Sequence, residues 1–316
     1  MNPLTLLVRP FKRTLAATAA VCCLASAAPA EELAHPVKPL LWKVEGGEAK
    51  KPAYLFGTVH VGKGPAATLH PVAAKAFDEA TAVHTEAPMD MASQLGATTL
   101  VIRKDGKTLT DSIGPELSKE LDVELKAISP ALSAKTLNSI KTWYMALTVP
   151  MLKLQLGGVK PLDMLLWEKA SKAGKKTAGM QTVAEQLSGF NDFNEDEQVV
   201  FLKETLRYTR EERETGKDSI KALVDAYVTG DLTKVETEFN KSLKETLDGE
   251  NKALGEKLMK KILDDRNVIM ADYIDATIKK SPDDVHFFAA GAAHYMGDVS
   301  VRSMLEKKGY KVTRVE

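Results

Sequence analysis

Residues 53–62 read AYLFGTVHVG, and the rest of the chain is organised around them. An apolar run ending in Phe56 meets Gly57; His60 follows three positions on and Gly62 closes the segment. Such a run is a buried strand, because Tyr54, Leu55 and Phe56 each contribute roughly 2 kcal/mol when removed from water. Gly57 permits a turn, or an approach to a neighbour that a Cβ would block. His60 is thereby aimed from rigid structure. The same order of residues returns in residues 285–297, VHFFAAGAAHYMG, with Gly291 and His294 in the corresponding places. With 20 Gly and 6 His in 316 residues, chance supplies roughly 0.4 Gly-x-x-His matches, so one copy says little. Each histidine alone is equally well a core residue at a strand end; two copies on two apolar strands point to one shared site.

Working outward, residues 39–44 (PLLWKV) form a strand, and Gly46-Gly47 turns it back into residues 53–56 as a hairpin, with Trp42 in the core. Pro71 opens a helix over residues 72–79, and His70 before it is expected to be exposed. Residues 82–87 (AVHTEA) give a third strand, with His84 and Glu86 on one face. A crossover of this size makes the third strand a parallel neighbour of residues 53–56 and brings Glu86 to the edge that carries His60. Ligands gather at such carboxyl ends. Glu86 is read as ligand or general base, and His84 as structural.

Residues 91–280 are almost wholly helical in pattern: Leu117, Leu121, Leu125 and Ile128 recur at helical spacing, as do Ile220, Leu223, Val224 and Tyr227. These are packing positions. Pro150 is expected to kink or end a helix. Residues 175–178 (KKTA) offer a short extra strand that could carry Asp163 or Gln181 toward the site, or else a polar connection. The last long helix, residues 254–278, holds Arg266, whose fork of donors suits a carboxylate or a developing oxyanion if it faces the sheet. Residues 310–315 close the chain as a strand. The fold class is α/β, with a central mostly parallel or mixed sheet built from residues 39–90 and 285–316 around a large helical middle.

The composition, 44% hydrophobic and 27% charged, is that of a soluble globular protein. Residues 1–30 stand apart. Arg9, Lys12 and Arg13 precede an apolar run over residues 15–24, and Ala28-Pro29-Ala30 supplies small residues for cleavage after Ala30. A signal peptide over residues 1–30 and a single domain over residues 31–316 follow, with export to the periplasm or the extracellular space. Both cysteines, Cys22 and Cys23, lie in that leader, so the mature chain has no thiolate for catalysis or metal binding. Any ion must use imidazole, carboxylate or amide ligands. No basic stripe suggests nucleic acid, and no apolar run after the leader approaches a bilayer span. Oligomeric state is not legible.

Taken together, LLWKVEGG, YLFGTVHVG, AVHTEAP, RNVIMADYI, FFAAGAAHYMG and LEKKGYKVTRV resemble the TraB/GumN family, related to the Tiki metalloproteases and more distantly to erythromycin-esterase-like and ChaN-like proteins. The resemblance covers essentially all of the mature chain. It implies a divalent-metal site in which His60, Glu86 and His294 match the family's invariant positions, Arg266 its Arg-Asn helix, and Asp163 the aspartate near its middle glycines. Gln181 departs from the pattern, since family members commonly carry Leu-Glu-Thr where this chain has Met180-Gln181-Thr182. If the missing carboxylate acts, the resemblance implies slower turnover or binding alone.

Two functions follow. The first is a metal-dependent hydrolase of peptide or ester bonds: Zn²⁺, Mn²⁺ or Co²⁺ on His60, Glu86 and His294 polarises a carbonyl and acidifies a water, and Arg266 stabilises the oxyanion. In this reading Gly57, Gly291, Arg266 and Asp163 contact substrate. A metal-free version uses His60 as general base oriented by Glu86. The second is a non-catalytic periplasmic protein that binds a metal, haem or a small ligand.

Overall fold

A mixed six-stranded sheet, in the order β4 (Lys176–Gly179), β3 (Ala82–Thr85), β5 (His286–Gly291), β2 (Ala53–Thr58), β1 (Leu41–Gly46) and β6 (Tyr310–Val315), forms the centre of the protein. The computed structural model describes residues 33–246 and 249–316. The expected leader, with Cys22 and Cys23, lies outside the described residues. The chain enters through β1 (Leu41–Gly46) and β2 (Ala53–Thr58), an antiparallel hairpin in which Leu41 faces Phe56. Helix α1 (Pro71–Glu79) crosses to β3 (Ala82–Thr85). His70 caps that helix by accepting from the Val72 amide at 3.3 Å and is half-buried, where the sequence suggested exposure. Its ring is occupied by structure.

The helical middle comprises α2 (Met91–Val101), α3 (Leu109–Ile128), α4 (Thr142–Leu156) and α5 (Leu162–Lys172). Gly114, at φ 73°, breaks α3 just before Pro115. Pro150 neither begins nor ends a helix; α4 runs through it. β4 (Lys176–Gly179) then interrupts the helices and pairs with β3, so the short KKTA segment is an edge strand. Beyond it lie α6 (Val183–Asn191), α7 (Glu195–Thr215), α8 (Ser219–Thr229), α9 (Leu232–Thr246) and α10 (Lys252–Met259). A π-helical turn, Lys260–Asp264, joins α10 to α11 (Asp265–Lys280). The chain closes through β5 (His286–Gly291), α12 (Val301–Lys307) and β6 (Tyr310–Val315).

One adjacency differs from expectation. β5, from the far end of the chain, inserts between β2 and β3 and pairs in parallel with both. All six residues of β5 are buried, and Phe287 and Phe288 are fully so. The most apolar strand takes the middle place because burial on both faces rewards it most. β2 and β3 remain parallel, but as neighbours once removed. Their carboxyl ends still share an edge with those of β5 and β4.

Two apolar cores hold this frame. One packs Leu55, Phe56, Phe77, Phe287 and Phe288 of the sheet and α1 against Leu166, Met270, Ile274 and Ile278. The other joins Leu121, Leu125, Trp143, Phe190, Leu202 and Leu206 within the helices, with Trp143 and Phe190 stacked at 5.0 Å. The helical spacings in the sequence are therefore packing, as expected. Trp42 is 2% exposed, and the guanidinium groups of Arg302 and Arg314 stand over its ring at 4.9 and 4.8 Å. No helix among the described residues is long and apolar enough to cross a membrane.

Candidate functional site

Four parallel strands deliver their ends to one edge, in register: Thr58 of β2 lies beside Gly291 of β5, and Thr85 of β3 beside Gly179 of β4. The residues that follow these ends are His60, His294, Glu86 and Gln181. Glu86 sits at the centre. Its Oε1 accepts the Gly291 amide at 2.6 Å and lies 3.7 Å from Nε2 of both His60 and His294. Its Oε2 accepts from Arg266 Nη2 and from Gln186 Nε2, the latter at 3.2 Å. Burial alone would raise the Glu86 pKa, but Arg266, then His294 and His60, and the Gly291 amide overcome it. They hold the group well below the ordinary carboxylate range.

Each imidazole is turned by a partner behind it. His60 Nδ1 donates to Asp163 Oδ2 at 3.1 Å, and the Asp163 carboxylate also accepts from the Thr58 hydroxyl at 2.9 Å. His294 Nδ1 donates to Asn267 Oδ1 at 2.7 Å, and the Asn267 amide is fixed because its Nδ2 donates to the Val299 carbonyl at 2.7 Å. With both Nδ1–H groups committed, both Nε2 atoms are left toward Glu86. Burial lowers the His294 pKa to about 4, against the pull of Glu86, so its ring is neutral near neutral pH. His60 differs. Burial opposes its charge, yet Asp163 and then Glu86 raise its pKa to about 9, while 56% of its side chain is accessible and solvent screens part of that pull.

Among the described residues, His60, Glu86 and Asp163 form the group able to hold an ion, with one ligand atom from each within 4.8 Å of the others. His294 stands outside that group, although its Nε2 lies 3.7 Å from Glu86 Oε1; Asp163 takes the third place where the sequence suggested His294. The donor set suits a divalent cation: a buried anionic carboxylate, a neutral imidazole, and rings oriented by a carboxylate and an amide, the usual supports of a ligating histidine. Asp163 already serves Thr58 and His60, which fits an orienting role as well as a ligand's.

Arg266 does face the sheet. It pairs with Glu86, donates through Nε to Gln181 Oε1 at 3.3 Å, and returns Nη1 to the Ile262 carbonyl of the π-helical turn at 3.3 Å. Gly291 has a steric role: an added Cβ would stand 2.9 Å from His60 Nε2 and 3.2 Å from Glu86 Oε1. Gly57 packs elsewhere, against Leu40 and Ala292, and its carbonyl accepts from the buried Tyr227 hydroxyl at 3.0 Å. Thr58, Gln186 and Asn267 escaped notice as site residues. Asn267 adjoins Arg266 on one helix, which was the available signal. His84 lies apart, between Tyr273 and His286, in a structural network.

The carboxyl edge of this α/β sheet gathers two imidazoles, carboxylates and a guanidinium, a set able to hold a divalent ion. The chain belongs to the TraB/PrgY/gumN family, whose sequence model matches residues 40–314. It is 25% identical to "Metalloprotease TIKI1" of Danio rerio over 86% of this chain and 62% of that protein. It is also 25% identical to "Metalloprotease TIKI2" of the same organism, over 86% and 60%, and 28% identical to "Metalloprotease TIKI1" of Homo sapiens over 49% and 33%. The chain thus spans about three fifths of the length of the two Danio rerio relatives. No solved structure matches it.

Proposed function

We propose that this chain is an exported metal-dependent hydrolase acting on peptide bonds, and on activated esters as a lesser activity. The observation that carries the proposal is the committed Nδ1–H of each histidine, donated to Asp163 and Asn267, which leaves Nε2 of each facing Glu86 Oε1 at 3.7 Å. Glu86 and His60, whose Nε2 proton the ion would displace, would hold the ion, with Asp163 or His294 completing the set. A divalent ion there supplies Lewis acidity toward a carbonyl and acidifies water. Arg266 keeps Glu86 ionised and presents its remaining N–H groups to developing negative charge. Asp163 and Asn267 fix the tautomers. Metalloprotease naming of the relatives supports peptide bonds as the substrate class. The basic-then-apolar leader with Ala28-Pro29-Ala30 supports export, and N-terminal sequencing of secreted protein tests it.

Metal-stripped protein reconstituted with Zn²⁺, Mn²⁺ or Co²⁺ and offered a quenched peptide library should turn over only when loaded. Glu86→Gln and His60→Ala should lower turnover at least about 100-fold. Chelator-insensitive turnover contradicts the proposal. A second reading, binding of a metal, haem or small ligand without turnover, is favoured by Gln181: an amide stands where a carboxylate was expected, and its buried Nε2 has no partner among the described residues. Stoichiometric binding without hydrolysis selects that reading.

A further inference from the structure

The reacting groups share a cavity with a wall of different chemistry. His60, Arg266, Gly291 and His294 line one side of a cleft of about 220 Å³. Leu223 of α8, Val235 and Phe239 of α9, Ile262 and Leu263 of the π-helical turn, and Met296 are the large apolar residues of its lining. We propose that this wall is the specificity pocket of the hydrolase, and that it takes one large apolar side chain, branched aliphatic or aromatic, from a residue flanking the scissile bond. The inference rests on the hydrolase reading above and adds the substrate class.

Size and charge both favour that occupant. Drug-sized ligands occupy pockets of about 300–1,000 Å³, so this cleft suits a single side chain rather than a cofactor such as haem. The charged side chains on the cleft are those of His60 and Arg266, both at the reacting end, where Arg266 is already paired with Glu86. A charged substrate side chain against Leu223, Val235, Phe239 and Leu263 would lose its hydration and gain no partner. An apolar one is desolvated at no such cost. The wall is also contiguous with the centre: Ile262 and Leu263 sit in the turn whose carbonyl at Ile262 receives Arg266, and Met296 follows His294 by two residues. Seating a side chain on this wall therefore places its backbone beside His60 and Gly291.

The test is a quenched peptide library, varied at the two residues flanking the cleaved bond, with metal-loaded wild type and Phe239→Trp. The expected result is kcat/KM at least about tenfold higher for Leu, Phe or Met than for Asp, Lys or Gly at one position. Phe239→Trp, which narrows the cleft, should shift preference from Phe toward Val and Ala. Hydrolysis without preference at either position, or a preference unmoved by Phe239→Trp, overturns the inference while leaving the hydrolase reading intact. If no peptide is cleaved with any metal, the hydrolase reading fails, and titration with N-acetyl-leucinamide against N-acetyl-aspartate amide judges the pocket alone. Tighter leucinamide binding, weakened in Phe239→Trp, supports it; equal or absent binding overturns it.

Discussion

The Gly291 amide donates to Glu86 Oε1 at 2.6 Å, so the carboxylate that follows β3 hangs from the last residue of β5. That bond places Glu86 between His60 and His294 although β2 and β3 are not neighbours. It also requires the absence of a side chain. In Gly291→Ala the new Cβ meets His60 Nε2 at 2.9 Å, while φ of −50° leaves the backbone itself tolerant of alanine. The expected outcome is a folded protein, unchanged by circular dichroism, with metal affinity reduced at least about tenfold by calorimetry.

Arg266 and Glu86 are a buried pair, with side chains 13% and 3% accessible. Removing one partner leaves an uncompensated charge, so Arg266→Met should cost about 3–5 kcal/mol in urea unfolding. Glu86→Gln added to Arg266→Met should recover part of that loss, because a neutral amide needs no counter-charge. If the double variant is as unstable as the single one, the pairing is not the cause.

Asp163 governs the direction of His60. Asp163→Asn keeps the size and an acceptor for Thr58 but removes the charge that holds the imidazole, and metal affinity should fall about 10- to 100-fold. Substitution of Asn267 by Leu, acting on His294, should give a fall of the same kind. Unfolding midpoints measured alongside affinity separate loss of orientation from loss of fold.

His84 lies in a closed chain of hydrogen bonds, with Tyr273 on Nδ1 and His286 on Nε2, each at 3.1 Å, and His286 Nε2 set 3.2 Å from the Ser281 carbonyl. Burial, and then His286, lower the His84 pKa from 6.5 to about 3, with Asp284 opposing weakly. The unfolded chain gains this proton near pH 6.5, well before the folded one does. Stability is therefore full above about pH 6.5 and is lost as pH falls toward 3, by on the order of 4 kcal/mol from this group. Urea unfolding from pH 7.5 to 4 checks the slope, and His84→Gln should flatten it.

Much of this was legible in local pattern. The two Gly-x-x-His strands, the hairpin and the helical spacings of α3 and α8 all depend on residues close in sequence, where apolar period and turn chemistry decide, whereas KKTA reads equally as strand or polar connection. Glu86 was legible because a strand of alternating faces ends there. The insertion of β5 between β2 and β3 was not, since strand order is settled by which apolar strand gains most from double burial and no local signal records it. For the same reason Thr58 and Asn267 went unread: each matters through a partner more than 25 residues away, Asp163 and His294 respectively. His70 differs for another reason: a residue at a helix start is expected to be exposed, whereas its ring serves as the cap of α1.

The most direct test of the central claim is calorimetric titration of the metal-stripped chain with Mn²⁺, Co²⁺ and Zn²⁺, in wild type, Glu86→Gln and His60→Ala. One ion per wild-type chain, with affinity at least about tenfold weaker in each variant, is the predicted result. Equal affinity in all three proteins, or no binding by wild type, would contradict it.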